Sequence, residues 1–202
     1  VAVYEVGARI SAYSRNVLYS WLSVIMPAAA ALDASGGNAS ALRSLYLRGT
    51  KYLLLSYCGV AVPLLAFGDH FLNLWVGNRF NQSYAVMALL LLGSGFQNQN
   101  VVAHVMLVGI GRLRAFRYVM SAYPVMMALL SWLLIPRWQL AGAAGAVALT
   151  MFILETVFQR SILRSFGVAS IDLFRGCHRP AALAAMPAAL AAAAVRFAVP
   201  PV

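Results

Sequence analysis

Residues 84–114 read YAVMALLLLGSGFQNQNVVAHVMLVGIGRLR, and this stretch decides the fold class. Its first 25 residues, 84–108, contain no Asp, Glu, Lys or Arg. Because a helix rises about 1.5 Å per residue, about 20 apolar residues cross the roughly 30 Å hydrocarbon core of a bilayer. The glycines at 109 and 111 then end the run, and a basic segment follows them. We therefore predict a membrane-spanning helix over 84–108.

Further apolar stretches on both sides of this one have the same character. The chain is 62% hydrophobic and only 10% charged, whereas about 25% of the residues in an ordinary soluble domain are charged. No strand-like alternation competes with the helical interpretation. The composition predicts an all-α fold, a polytopic transmembrane helix bundle of about six spans in a single domain over 1–202. The predicted spans are 7–32, 52–67, 84–108, 118–135, 140–158 and 180–199.

Basic residues alternate between the gaps that separate these stretches. Ten of the fifteen Lys and Arg lie in three basic segments, 33–51, 109–117 and 160–179, which occupy every second gap. The other two gaps hold only Arg79 and Arg137. Cytoplasmic loops carry the excess of Lys and Arg in multi-pass membrane proteins. We therefore predict that the three basic segments are cytoplasmic and that both ends of the chain lie outside.

The net charge of +10 does not by itself indicate a nucleic-acid-binding protein. The basic residues are spread over separate loops rather than gathered on one folded face. Attraction to the anionic lipids of the cytoplasmic leaflet accounts for them better. Membrane lipids, and no nucleic acid, are therefore the expected partners.

The cysteines and histidines predict neither a metal site nor a disulfide. Cys58 lies within an apolar stretch and Cys177 in a basic segment, and neither belongs to a CxxC pair. The histidines are scattered and form no HExxH-like unit, so no cofactor is expected. The chain begins Val-Ala-Val without Met, and no signal-peptide pattern follows. We interpret it as the later part of a longer protein whose upstream lobe is missing.

Four consecutive amides, residues 97–100, lie near the middle of the span predicted over 84–108. Gln97, Asn100 and His104 share one helical face, and Asn98 adjoins them. An unpaired polar group in hydrocarbon costs on the order of 1–3 kcal/mol or more. The amides therefore either join helices to one another or line a cavity for a polar substrate. The sequence leaves both alternatives open.

Arg15 and Asn16 lie several residues inside the first predicted span. Glu5 and Arg9, nearer its outer end, are four residues apart and predict an exposed ion pair. Arg15 has no carboxylate three or four residues away in the sequence. Its guanidinium either extends to the membrane surface or faces a water-filled cavity, where it could hold a diphosphate. Arg15 and Asn16 are therefore candidates for substrate binding.

Glu155 is the only acid within the later predicted spans, and its stretch places it toward the cytoplasmic end. Gln159 follows four residues later, with Arg160 directly after it. Acidic residues inside membranes often serve ion or proton coupling, so Glu155 is the candidate coupling residue. The alternative is a carboxylate at the cytoplasmic interface beside Arg160.

Two further signals flank the second predicted span. Leu42, Leu45 and Tyr46 share one face, which predicts either a helix on the membrane surface or the solvated first turns of the spanning helix itself. Phe71 and Trp75, in the gap that follows the span, suit an aromatic belt at the membrane interface.

Six short motifs occur along the chain in this order: YEVGARI at 4–10, MPAAA at 26–30, LRSLYLRGTK at 42–51, LNLWVGNRF at 72–80, GIGRLR at 109–114 and LAGAAGA at 140–146. In order and spacing they resemble the later half of the flippase superfamily of multidrug MATE exporters and oligosaccharide-lipid flippases. The polysaccharide-flippase branch is the most similar, and the similarity covers about residues 1–165. The chain departs from the family in lacking the first half and in having Gly37-Asn38 where the pattern has Gly-Asp.

This resemblance implies a bundle of twelve to fourteen helices, in two similar lobes around a basic and polar cavity. Members of the family move an oligosaccharide linked to polyprenyl diphosphate across the bacterial cytoplasmic (inner) membrane, for surface polysaccharides such as lipopolysaccharide. Lipid-linked oligosaccharide, membrane lipids and other polysaccharide-assembly membrane proteins are therefore the expected partners. The family supplies no universally required residue, so the candidate site residues depend on their position in the membrane.

We expect a transporter that works by alternating access and performs no covalent chemistry, and not an enzyme. A multidrug exporter is one alternative, and it predicts an acidic, aromatic cavity coupled to H⁺ or Na⁺. A membrane-embedded glycosyltransferase or polymerase is another, but it needs acid–base or metal-binding groups. The chain has five acids and no DxD pair. A last alternative is a six-helix half with no transport activity of its own.

Overall fold

The computed structural model describes residues 2–35, 39–77 and 81–198, and they fold almost entirely into helices. No strand occurs within these ranges, which confirms the all-α prediction. The elements in chain order are α1 (Ala2–Tyr19), a 3₁₀ helix (Ser20–Val24), α2 (Ile25–Ala34), α3 (Ala39–Trp75), α4 (Asn81–Gly109), α5 (Arg114–Phe166), α6 (Ser170–Leu173), a π-helix (Phe174–His178) and α7 (Arg179–Ala198).

Helix α5 is folded back on itself as a hairpin. Gln139 has the backbone angles φ 47° and ψ −117°, which interrupt the helix. Phe116 and Phe158 would lie about 63 Å apart in a straight helix. Their rings instead both contact His104, at centroid distances of 5.4 and 4.6 Å. Residues 114–138 therefore form a first arm and residues 140–166 a second arm, with Gln139 at the tip.

A glycine lets the two arms touch beside the tip. A Cβ atom at Gly142 would collide with the carbonyl group of Leu134, so any larger residue would force the arms apart. The sequence predicted the end of a helix at Pro136–Trp138, and the reversal follows directly at Gln139.

Helix α1 runs parallel to α4. Near the beginning of both helices, the Ser83 hydroxyl donates a 2.6 Å hydrogen bond to the carbonyl of Val3. Further along, the carbonyl of Met26 in α2 lies against Gly109 at the end of α4. The glycine leaves room for this close approach of the two backbones.

Helix α3 runs antiparallel to α4. The Tyr84 hydroxyl at the beginning of α4 donates a 2.5 Å hydrogen bond to the carbonyl of Leu65, late in α3. Gly49, early in α3, lies against Val102, late in α4. The second arm of α5 is parallel to α4, since Gly93 packs against Ala148 and, seven residues later in both helices, Asn100 is hydrogen-bonded to Glu155. Successive long helical segments therefore alternate in direction.

The three basic segments meet at one end of the bundle, which we call the basic end. Arg43 Nη2 of the first segment lies 2.5 Å from Asp172 Oδ2 of the third. Arg112 Nη2 of the second lies 4.0 Å from Asp33 Oδ1 of the first. The beginnings of α1 and α4 and the tip of the α5 hairpin form the opposite end. Repeated crossings of a bilayer would place the segments in this way.

The helices extend beyond the predicted spans at several points. Helix α3 continues on both sides of 52–67, because Leu42 and Tyr46 are buried in its first turns. The surface-helix alternative for this stretch is therefore wrong, and the first turns are packed rather than solvated. The third basic segment, expected as a loop, is largely helical up to Phe166 and again from Ser170. Its Cys177 thiol is buried against the Leu47 carbonyl, and burial raises the pKa of this thiol to about 11.

The first predicted span, 7–32, is interrupted by the 3₁₀ helix. Within that segment the Ser23 hydroxyl donates a 3.0 Å hydrogen bond to the carbonyl of Ser20, which competes with the α-helical pairing of the backbone. Pro63, within the second predicted span, lies inside a helix that continues through it. Arg79 and the pair Gly37-Asn38 fall outside the described residues.

Two of the described helices are long and apolar enough to cross a bilayer, judged by length and composition. They are Ala39–Trp75, with a mean hydropathy of 1.5, and Phe116–Phe166, with a mean hydropathy of 1.8. Because Phe116–Phe166 contains the reversal at Gln139, it supplies two arms. Helix α4, which contains the predicted span 84–108, is not one of these two. The four strongly polar amides at 97–100 lower the hydropathy of its middle.

Candidate functional site

A buried carboxylate lies at the contact between α4 and the second arm of α5. Glu155 is only 4% exposed. Asn100 Nδ2 donates a 2.8 Å hydrogen bond to the Glu155 backbone carbonyl and a 3.0 Å hydrogen bond to its Oε2. His104 Nε2 lies 3.5 Å from the same Oε2. The structure thus joins three predicted site residues, Asn100, His104 and Glu155, into one polar cluster.

The amides at 97–100 divide into two kinds of environment. Gln99 Nε2 donates a 3.2 Å hydrogen bond to Gln159 Oε1, so Gln99 and Asn100 both join α4 to the second arm. Asn98 is 0% exposed, and neither of its side-chain polar atoms has a hydrogen-bond partner within the described residues. Gln97 is half-buried. Helix contact therefore explains two of the amides, and Asn98 retains unused hydrogen-bonding groups.

This polar layer lies deep in the bundle. Asn98 is eleven residues from the end of α4 at Gly109, which corresponds to about 16 Å along the helix axis. Glu155 is likewise eleven residues from the end of α5 at Phe166. The helix continues well past the predicted boundary at 158, and Glu155 is buried between helices rather than exposed beside Arg160. The choice between a coupling residue and a carboxylate at the cytoplasmic interface stays a prediction.

Arg15 is the second charged candidate that is partly withdrawn from solvent. Its side chain is half-buried. Tyr19 and Tyr123 lie within electrostatic range of both Arg15 and Glu155. No ion pair joins Arg15 to a carboxylate among the residues that the structure describes. Arg15 and Glu155 therefore do not neutralise each other directly.

A stripe of polar side chains runs along the exposed face of α1 and reaches the 3₁₀ helix, where the apolar Val24 is exposed as well. Its members recur every three or four residues, or at multiples of that spacing, and all are exposed. They begin with the Glu5–Arg9 pair, whose Oε1 and Nε atoms lie 3.0 Å apart, as predicted for an exposed ion pair. We call this set the polar stripe: Glu5, Arg9, Tyr13, Asn16 and Ser23.

The exposed face of the α5 hairpin is chemically different. It presents Val125, Leu129, Trp132 and Leu133, all of which are exposed large apolar side chains. Such a face suits lipid. A polar stripe at the same depth in a membrane would face water or protein instead, because exposure of these groups to hydrocarbon is costly. The surface of the bundle is thus divided into an apolar face and a polar one.

The sequence indicated all seven candidate residues but not the contact between α4 and Glu155. Asn16 lies on the polar stripe, Arg15 is half-buried beside it, and Gln97 and Asn98 belong to the deep layer. Sequence reasoning missed Tyr19 and Tyr123, since tyrosines are common in apolar helices and carry no local signal. No group of three or more potential metal ligands occurs among the described residues.

Cysteine labelling distinguishes the two exposed faces. We expect Tyr13→Cys and Asn16→Cys, in a cysteine-free background, to react at least tenfold faster with a hydrophilic thiol reagent than Leu129→Cys and Trp132→Cys. Only a hydrated thiol forms the reactive thiolate readily. The rates are measured in intact membranes by mass shift. Equal rates at all four positions would show that the polar stripe does not border water.

No protein-family model matches this chain, and neither a curated protein nor a solved structure matches it.

Proposed function

We propose that this protein is a membrane carrier component that moves a polyprenyl-diphosphate-linked oligosaccharide across the bacterial inner membrane for surface polysaccharide synthesis. The observation that carries the proposal is the polar stripe of α1, with Arg15 beside it, on a bundle whose other exposed face is apolar. A carrier needs such a division, because one face must contact lipid while another contacts a polar cargo. The resemblance of the six motifs to polysaccharide flippases supports the choice of cargo.

The side chains of this region suit the parts of that cargo. A guanidinium can hold a diphosphate through paired hydrogen bonds, and Arg15 supplies one at depth. Amide and hydroxyl groups, as on Asn16 and Tyr13, match the hydroxyl groups of sugars. The polyprenyl tail can stay in the bilayer beside an opening between helices. The chemistry required is recognition and movement, with no covalent step.

The proposed arrangement in the membrane is a bundle of six spans with the basic end in the cytoplasm. The charge distribution supports it, since the three basic segments lie together and the anionic inner leaflet attracts them. The 3₁₀ helix within the first span supplies a point at which that span can bend. Interruptions of this kind occur at the binding sites of transporters that alternate between two states.

Export of drugs coupled to H⁺ or Na⁺ is the second candidate, and the buried Glu155 cluster is the observation that favours it. A carboxylate with only an amide and an imidazole close to it can exchange a cation during transport. Arg15 argues against cationic drugs as the main cargo, because its positive charge would repel them.

Deletion of the gene distinguishes the two candidates. For the carrier of lipid-linked oligosaccharide, we expect loss of surface polysaccharide, accumulation of undecaprenyl-linked intermediates, and unchanged susceptibility to a panel of cationic drugs. Complementation with the full-length gene should restore the polysaccharide. Normal polysaccharide together with increased drug susceptibility would reject the proposed cargo and favour export.

A further inference from the structure

A cleft of about 800 Å³ opens at the basic end between the end of α4 and both arms of α5. Two arginines and two serines form the polar part of its wall: Arg112, Arg117, Ser161 and Ser165. Apolar side chains form another part. The apolar residues are Leu107, Leu113 and Tyr118.

The positive charge in this cleft is largely unneutralised. The Arg112 side chain is 61% exposed, and the Asp33 carboxylate approaches it only to 4.0 Å. Among the described residues, no carboxylate pairs with Arg117. Helix α5 begins beside the cleft without a side-chain cap, so the N–H groups of its first turn add positive potential.

A neighbouring cleft at the same end offers a contrast. It has a volume of about 680 Å³ and also contains two arginines, Arg43 and Arg48. There, however, Arg43 lies 2.5 Å from the carboxylate of Asp172. One of the two arginines of this neighbouring cleft is therefore already paired with a carboxylate of the protein. The cleft at Arg112 and Arg117 can instead bind an anion.

We propose that the cleft at Arg112 and Arg117 binds the phosphate headgroup of an anionic phospholipid from the cytoplasmic leaflet. Two guanidinium groups can hold phosphate oxygens in paired hydrogen bonds. The Ser161 hydroxyl is a further donor, whereas the Ser165 hydroxyl already donates a 2.9 Å hydrogen bond to the Ser161 carbonyl. The apolar wall fits the glycerol and first acyl carbons of a lipid, for which a free phosphate ion has no counterpart. Basic pockets between helices at the cytoplasmic side take such headgroups. The proposal rests on the membrane location, and not on the cargo, of the proposed function.

Lipid binding to the purified full-length protein tests this site. Native mass spectrometry during a titration gives the apparent affinity for phosphatidylglycerol and, separately, for phosphatidylcholine. We expect clear preference for phosphatidylglycerol and a loss of about 30-fold in its affinity for the double variant Arg112→Ala/Arg117→Ala, the effect of two phosphate-neutralising charges. The variant Arg112→Lys/Arg117→Lys should lose less of this affinity, because lysine keeps the positive charge although it cannot form the paired hydrogen bonds.

The matched control is Arg160→Ala/Arg175→Ala, which removes the same charge from exposed positions of the third basic segment. We expect it to bind phosphatidylglycerol within about twofold of the wild-type protein, since exposed charges at the membrane surface contribute mainly through screened attraction. An equal loss in both double variants would overturn the site in favour of general attraction. Equal binding of the two lipids, or displacement by millimolar inorganic phosphate, would also overturn it. A protein that binds phosphatidylglycerol as expected but does not support polysaccharide synthesis would reject the cargo alone.

Discussion

Replacing Arg15 with alanine should abolish surface polysaccharide in cells that contain normal amounts of the protein. Arg15 is the half-buried cation beside the polar stripe, and it lies within electrostatic range of Tyr19 and Tyr123. Loss of a charged hydrogen-bond donor to a diphosphate costs about 2 kcal/mol, or roughly 30-fold in affinity. The stability should change little, because no carboxylate pairs with Arg15 among the described residues. Polysaccharide is quantified on the cell surface and the protein by immunoblot.

Arg137→Ala is the control for the Arg15 variant. It removes the same charge from an exposed position beside the tip of the α5 hairpin, outside the polar stripe. We expect normal polysaccharide in Arg137→Ala and partial function in Arg15→Lys, which keeps the charge but not the planar guanidinium. If Arg15→Ala cells made as much polysaccharide as Arg137→Ala cells, Arg15 would have no part in cargo binding.

The sequence predicted best those helices whose first and last residues are determined by nearby residues in the chain. The span predicted over 84–108 lies within α4, Asn81–Gly109, because an uncharged apolar run ends there in glycines. The reversal at Gln139 lies in the gap between the predicted spans 118–135 and 140–158. In both cases the determining residues lie within a few positions of the boundary.

The limits of α3 could not be predicted, because they depend on residues far away in the chain. Tyr46 is buried in a stacked contact with Phe166, at a centroid distance of 5.3 Å. The two residues are 120 positions apart in the sequence, and their contact packs the first turns of α3 against the end of α5. Without it, Leu42 and Tyr46 have the pattern of a surface helix, which is what the sequence suggested as one alternative.

The sequence predicted the residues of the candidate site but not the contacts between them. The apolar surroundings of the amides and of Glu155 made each of them conspicuous on its own. Asn100 and Glu155 are 55 residues apart, and no local pattern indicates that they lie at the same depth. That correspondence follows from the parallel packing of α4 and the second arm and from the extension of α5 to Phe166. The tertiary structure therefore brings the amides of α4 and Glu155, which the sequence treated separately, into one cluster.

The cluster should make Asn100→Leu the more costly of two amide replacements in α4. Asn100 donates to both the backbone carbonyl and the carboxylate of Glu155, so its loss leaves a buried carboxylate without its amide donor. We expect a decrease of about 2–3 kcal/mol in the free energy of unfolding. Gln99→Leu breaks a neutral amide pair between the same two helices, and hydrogen bonds of that kind average about 0.6 kcal/mol in membrane proteins. Both values are measured by denaturation in mixed micelles.

A double-mutant cycle identifies the carboxylate as the cause. If the cost of Asn100→Leu arises from the orphaned carboxylate, then Asn100→Leu/Glu155→Leu should be more stable than Asn100→Leu alone, because replacing both partners by apolar groups is nearly neutral. Glu155→Gln should retain a carbonyl oxygen as acceptor for Asn100. Its free energy of unfolding should therefore decrease by less than about 1 kcal/mol. Strict additivity of the Asn100 and Glu155 replacements would mean that the two side chains act independently, against the 3.0 Å hydrogen bond between them. A positive coupling would instead show that burial of Glu155 depends on Asn100, which makes the amide the residue that keeps an acid in the interior of the bundle.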